Sequence, residues 1–212
     1  MAVIKNSEGK FVVERLVKTI QDNKEYLSEV DGAIGDGDHG INMNKGFTIC
    51  GERIAEQDCS MSEAMETLGD ILMSEIGGSM GPIYGTVFME MGEAAHEEID
   101  LANFADMMNA AYEGLAEIVD AREGDKTLMD VIIPAKDSLK KSVEENRDFT
   151  EALSECAAAA EAGRDRTKDL VAKFGRASRL GERSRGILDA GATSCALIVK
   201  SLCESLKEML SE

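Results

Sequence analysis

Three aspartates, Asp31, Asp36 and Asp38, fall within the run DGAIGDGDHGINMN, interleaved with Gly32, Gly35, Gly37 and Gly40. Carboxylates this close repel one another unless a cation sits among them. The glycines let the backbone curl so that the side chains converge. Hard oxygen ligands in this pattern suit Mg²⁺ or Ca²⁺ rather than zinc. An EF-hand calcium loop needs Glu at loop position twelve and Gly at position six. Counted from Asp36, those places hold Phe47 and Ile41, so that reading fails. The plainer alternative is an exposed acidic turn. The residues that follow, His39, Gly40, Ile41 and Asn42, open a predicted helix. Its free N–H groups and dipole favour a phosphate. Because Mg²⁺ is usually held by few carboxylates plus substrate phosphates, the combination reads as a magnesium–nucleotide site. His39, one of two histidines, either hydrogen-bonds a phosphate or caps the helix.

Three further junctions collect glycine and polar residues. In GGSMGPIYGT, residues 77–86, Ser79 and Met80 precede Pro82, a good first-turn residue. Free N–H groups there could meet another phosphate; alone, the segment reads as an ordinary Gly-rich turn. GDKT, residues 124–127, resembles a phosphate loop only superficially, because the full G-x-x-x-x-G-K-[ST] pattern is absent. Asp125 and Thr127 are candidate helix caps. The fourth junction is GRASRLGERSRGILDAGATS, residues 175–194. From Arg164 to Arg185, eight Lys/Arg face three Asp/Glu, a local charge of +5 in a chain of −18. Such an island suggests anion contact or a partner surface, the alternative being a solvated, salt-bridged helix end. Asp189, Ala190 and Gly191 then open the last predicted helix, with Thr193 and Ser194 in its first turn.

Helices must position these junctions. The 212 residues suit one domain over 1–212. Apolar residues at helical spacing mark eight segments. The first carries Phe11, Val12, Leu16, Val17 and Ile20; the second follows Gly40 with Met43, Phe47 and Ile54. A third starts near Ser60 or Ser62 and carries Met65, Leu68, Ile71 and Leu72. The others run from about Pro82 through Ala95, Asn103 to Ala121, Thr127 to Val143, Phe149 to Phe174 and Ala192 to Leu210. The strand nearest to credible, VIIPA, is short and broken by Pro134. The expected fold is therefore all-α, an antiparallel bundle with short connections. Met43, Met65, Met73, Met89, Met91, Met107 and Met108 read as gap-filling core.

Charge and composition exclude several classes. A net charge of −18 disfavours nucleic acid and anionic membrane surfaces as partners. Five cysteines without C-x-x-C spacing argue against zinc or a disulfide framework and for reduced thiols. The start MAVIKNSEGKF has no apolar run, so no signal peptide is expected, and no segment approaches a membrane span. A cytoplasmic protein is expected.

The four motifs in this order, DGAIGDGDHGINMNKGF, GGSMGPIYGT, GDKTLMD and GRASRLGERSRG followed by DAGATS, resemble the DhaL/DAK2 family over essentially the whole chain. These are nucleotide-binding subunits of dihydroxyacetone kinases. The resemblance implies an eight-helix, barrel-like bundle with ADP or ATP bound among the loops at one end. It implies that Asp31, Asp36 and Asp38 coordinate two Mg²⁺ ions bridging the phosphates. His39, Asn42 and the loop at Ser79 would contact phosphates. Thr127, Leu128, Arg176, Asp189 and Gly191 would line the rest of the site. A small ketose would be held on a separate DhaK subunit, through a covalent link to a histidine, with phosphoryl transfer only in the complex. The phosphoryl donor is either exchangeable ATP or a phosphotransferase-system protein, DhaM, which rephosphorylates bound ADP. A short chain without a fused DhaK domain fits the second better. A nucleotide-state regulatory module is the alternative of another class, and a homodimer is compatible with the sequence. Met80 departs from a family serine and Ala190 from a family proline, while His39 departs from the threonine of related fatty-acid-kinase domains.

Overall fold

The computed structural model describes residues 2–211. Among these residues there are nine α-helices: α1 Lys10–Asp22, α2 Lys24–Gly32, α3 His39–Ala55, α4 Met61–Glu75, α5 Met80–Ala94, α6 Leu101–Ile118, α7 Met129–Glu144, α8 Phe149–Arg166 and α9 Ala190–Ser211. Eight of them close a ring. From α3 onward each helix packs on the next, α9 returns to α1, and α1 packs on α3. Connections reverse the chain between neighbours, most of them short and one, residues 167–189 between α8 and α9, long, which makes the ring antiparallel. None of these helices is long and apolar enough to cross a membrane.

The ninth helix, α2, was not anticipated. Its nine residues bury only Leu27, so it shows no apolar stripe long enough to register. It lies outside the ring against α3 and α9, beside the acidic loop. Three expected ends also move. The segment expected over Asn103 to Ala121 spans Leu101–Ile118, because Asp100 caps it by accepting from the Asn103 N–H. The segment expected to reach Phe174 stops at Arg166. There the Thr167 hydroxyl turns back onto the Arg164 carbonyl at 2.6 Å, and a 3₁₀ turn, Thr167–Asp169, follows. VIIPA is helical within α7. A two-residue antiparallel pair, β1 Ile4–Lys5 with β2 Glu98–Ile99, ties the start of the chain to the α5–α6 connection. Between the serines expected to start the third helix, Ser60 is the cap, in a reciprocal capping box with Glu63.

Pro134 sits inside α7, where it lacks the N–H that would bind the Asp130 carbonyl. The neighbouring helix closes on that carbonyl. A Cβ at Gly163 would stand 2.0 Å from the Asp130 oxygen, so only glycine permits this α7–α8 approach. Phe47 and Phe88 meet edge to face across the ring at 5.8 Å. Met43, Met65, Met91, Met107 and Met108 are core, as expected. Met73 and Met89 are not: Met73 is 45% exposed near the C-terminus of α4, and Met89 is half-buried.

Candidate functional site

Because neighbours in the ring run antiparallel, alternate helices begin at the same end. The starts of α3, α5, α7 and α9 surround one cavity of about 430 Å³, lined by His39, by Met80, by Thr127 and Leu128, and by Ala190 and Gly191. Helix starts carry a partial positive charge, so four converging on one space give the cavity a field that favours an anion, although the His39, Met129 and Ala192 N–H groups are already bound by Asp31, Thr127 and Asp189. The connection between α8 and α9 closes one wall with Phe174, Gly175 and Arg176.

The acidic loop forms the opposite wall. Oxygens of Asp31, Asp36 and Asp38 lie within 4.8 Å of one another. A hard divalent ion with ligands at about 2.0–2.6 Å spans such a set, so the residues fit a cation. Gly35 makes the approach feasible, since a Cβ there would fall 2.2 Å from Asp31 Oδ1. Burial, reinforced by the Asp36 and Asp31 charges, holds the Asp38 carboxyl above its usual pKa. Part of this negative charge is met from across the cavity, where Arg176 Nη1 lies 2.5 Å from Asp36 Oδ2.

His39 is 9% exposed, and its Nε2 lies 2.7 Å from Ser194 Oγ. Burial lowers its pKa to about 4, against an opposing pull from Asp31, so the ring is neutral at pH 7. Asp189 caps α9 by accepting the Ala192 N–H at 2.8 Å. Burial, the largest cause, raises its pKa to about 6. A carboxyl raised in the folded state contributes stability that is full below its unfolded pKa and is lost as pH rises through the folded one. Asp189→Asn, which keeps the capping oxygen, should therefore flatten the stability profile between about pH 4 and 6. Thermal midpoints across that range check this; parallel wild-type and variant profiles would contradict it.

Of the residues expected at the site, Asp31, Asp36, Asp38, His39, Ser79, Met80, Thr127, Leu128, Arg176, Asp189, Ala190 and Gly191 all line the cavity. Gly40, Ile41 and Asn42 do not. Gly40 is buried, Ile41 is 54% exposed, and the Asn42 N–H is already bound to the Asp38 carbonyl at 2.9 Å. Thr127 is a local cap, its Oγ1 accepting the Met129 N–H at 3.1 Å. Asp125 instead binds the Arg122 N–H and the Lys173 ammonium. Sequence reasoning missed Tyr84 and Lys126. Lys126 has φ 62° and is buried, donating to the Thr167 and Ile187 carbonyls at 2.5 Å each. It braces the α8–α9 connection from below, which is why GDKT is no phosphate loop. The basic island is largely paired internally: Arg166 with Glu123, Lys173 with Asp125, Arg185 with Glu182, and Arg176 with Asp36.

The ring and its end cavity define an all-α barrel of the kind found in dihydroxyacetone kinase. The crystal structure of the native form of the dihydroxyacetone kinase of C. freundii superposes with a TM-score of 0.72 at 25% identity, covering 94% of this chain and 34% of that one. The chain thus spans about a third of that protein. The DAK2 domain matches residues 33–204, and the chain belongs to the DhaL/DAK2 family. It is 38% identical to the ADP-binding subunit DhaL of PEP-dependent dihydroxyacetone kinase 1 from Listeria innocua, over 88% of this chain and 89% of that one. It is 37% identical to the ADP-binding subunit DhaL of the Escherichia coli PEP-dependent enzyme, over 87% and 89%.

Proposed function

We propose that this chain is the nucleotide-binding subunit of a dihydroxyacetone-type kinase. The observation that carries the reading is the meeting of three carboxylates with four helix starts in one cavity. The volume, about 430 Å³, falls in the range of small-molecule sites. Asp31, Asp36 and Asp38 would hold Mg²⁺, two ions in this reading, and the metal supplies charge neutralisation at the phosphates. The N–H groups at the start of α5, including the loop at Ser79, bind phosphate oxygens. Arg176 reaches over the same place from the facing wall. The apolar side, with Ile83, Leu128 and Val119, receives the base.

The phosphoryl group passes to dihydroxyacetone, or a similar small ketose, held on a DhaK-type partner. Exposed apolar residues near the cavity end, Phe174 at 40% and Ile41 at 54%, support docking of a second protein there. ADP remains bound as a coenzyme and is rephosphorylated by a DhaM-type phosphotransferase-system protein. The names of the L. innocua and E. coli relatives, PEP-dependent and ADP-binding, favour this over exchange of ATP.

The test is transfer of label. The chain, first stripped of bound nucleotide, is loaded with γ-labelled ATP and Mg²⁺, freed of excess nucleotide, and mixed with dihydroxyacetone and a DhaK-type subunit. Labelled dihydroxyacetone phosphate is expected only when that subunit is present. No transfer, with a partner shown active toward another DhaL-type subunit, would overturn the proposal.

A further inference from the structure

Gly40, the second residue of α3, does not line the cavity, yet no larger residue fits its place. A Cβ there would stand 2.0 Å from the Lys24 carbonyl oxygen, 2.6 Å from Ser28 Oγ and 2.8 Å from the Ser28 nitrogen. The start of α3 therefore lies directly on the backbone of α2. Ser28 Oγ is buried in this contact without a hydrogen-bond partner. A buried orphan hydroxyl is rare in native folds and calls for an explanation. Here it is the closeness of the two backbones, which sets Oγ against Gly40.

Lys24, Ser28 and Asp31 follow one another at helical spacing, so the face of α2 that meets Gly40 also carries Asp31. Asp31 Oδ2 accepts the His39 N–H at 3.3 Å, one residue before Gly40. Asp36 and Asp38 belong instead to the chain leading into α3. The three carboxylates thus ride on two bodies. One of them, α3, is fixed in the ring by buried Met43, Phe47, Cys50 and Ile54. The other, α2, is held by Leu27 alone among its buried residues, so α2 gives way to any obstacle between the two.

We infer that Gly40 is a positioning residue for the metal site: by admitting α2 onto the start of α3, it sets the distance of Asp31 from Asp36 and Asp38, and with it the preference for Mg²⁺ over Ca²⁺. The inference rests on the cation reading of these carboxylates. An alanine at 40 must push the Lys24 carbonyl back by about 1 Å to reach even the shortest contact that a real Cβ makes. Mg²⁺ demands ligands at about 2.0–2.1 Å in near-octahedral order, whereas Ca²⁺ accepts about 2.3–2.6 Å and irregular geometry. The retreat exceeds the difference between the two ions, so the smaller one loses more.

Thermal midpoints of the nucleotide-stripped chain, at a fixed excess of ADP and rising Mg²⁺ or Ca²⁺, give the concentration of each ion at half-maximal gain. Free ADP binds each ion alike in every sample, so its effect cancels between variants. Gly40→Ala is expected to raise the Mg²⁺ concentration about tenfold or more, the usual effect of losing a group that orients a ligand, and the Ca²⁺ concentration less. Leu27→Ala loosens α2 without adding an obstacle. It should shift the two ions in the same order by a smaller factor, and it carries the test if Gly40→Ala does not fold. Gly92→Ala, near the far end of α5 with its Cβ 3.0 Å from the Ser62 carbonyl, should lower the metal-free melting temperature and leave both concentrations in place. Equal losses for the two ions, or the same shift in Gly92→Ala, mark a general loosening and overturn the inference. A wild-type response to Mg²⁺ that Gly40→Ala retains overturns it alone. No metal-dependent gain in the wild type overturns the cation reading, and the inference falls with it.

Discussion

Asp38→Asn is expected to move stability in opposite directions with and without metal. In EDTA the variant should melt higher than wild type. Asp38 is held above its ordinary pKa by burial and by the Asp36 and Asp31 charges, so its ionised form is disfavoured in the fold. A carboxyl raised in this way contributes stability that is present below its unfolded pKa and lost as pH rises, and at pH 7 it is a liability. Asparagine has nearly the same shape and no charge. With Mg²⁺ and ADP the order reverses. Wild type with ligand at 100 times Kd should gain about 2.7 kcal/mol. For a chain of this size that is roughly 5–11 °C in Tm. The variant has lost one of three oxygens that converge within 4.8 Å, and its gain with Mg²⁺ should fall to that seen in EDTA. Four melting curves decide the matter. A variant that still gains the full metal-dependent increment would remove the carboxylate set from the metal site.

Phe88→Ala should be the most damaging single change outside the site. Phe88 is 0% exposed and packs edge to face on Phe47 at 5.8 Å. It ties α5 to α3, two of the helices whose starts line the cavity. Deleting a buried phenyl removes its transfer free energy and leaves a void, typically about 3–5 kcal/mol. Domains of this kind have about 5–15 kcal/mol in total, so the variant sits close to its unfolding threshold at 37 °C. Urea unfolding at constant m-value measures the loss. Met73→Ala, at a 45% exposed position near the end of α4, is the control and should stay within about 0.5 kcal/mol. A Phe88→Ala loss no larger than the control would mean that the ring's interior repacks freely. Since Phe88 does not line the cavity, Mg–ADP affinity of the folded fraction should hardly change.

The all-α class, most helices and the cavity wall were legible in the residue order because each depends on local rules. Apolar spacing marks α1, α4 and α9. Ser60 with Glu63 marks the start of α4 through a reciprocal cap. The three aspartates and their glycines mark the loop whose carboxylate oxygens converge within 4.8 Å. The short helix α2 was not legible, since one buried leucine gives no period to detect. Nor was the early end of α8, set by Thr167 folding back on its own turn and binding the Asp189 N–H at 3.1 Å.

Residue types and spacings within each motif determined what the four junctions bring: clustered carboxylates, helix starts and positive charge. They did not determine which junctions meet. Ring closure decided that, because an antiparallel ring sends every second helix start to the same end. Tertiary structure also decided the roles of individual side chains inside those motifs. Lys126 looks like a phosphate lysine in GDKT but is consumed by the carbonyls of Thr167 and Ile187, 41 and 61 residues away. Tyr84 and Ser194, 110 residues apart, become one hydrogen-bonded pair behind His39. Local rules act over a few residues, whereas a buried polar group takes whatever partner the packed chain brings to it.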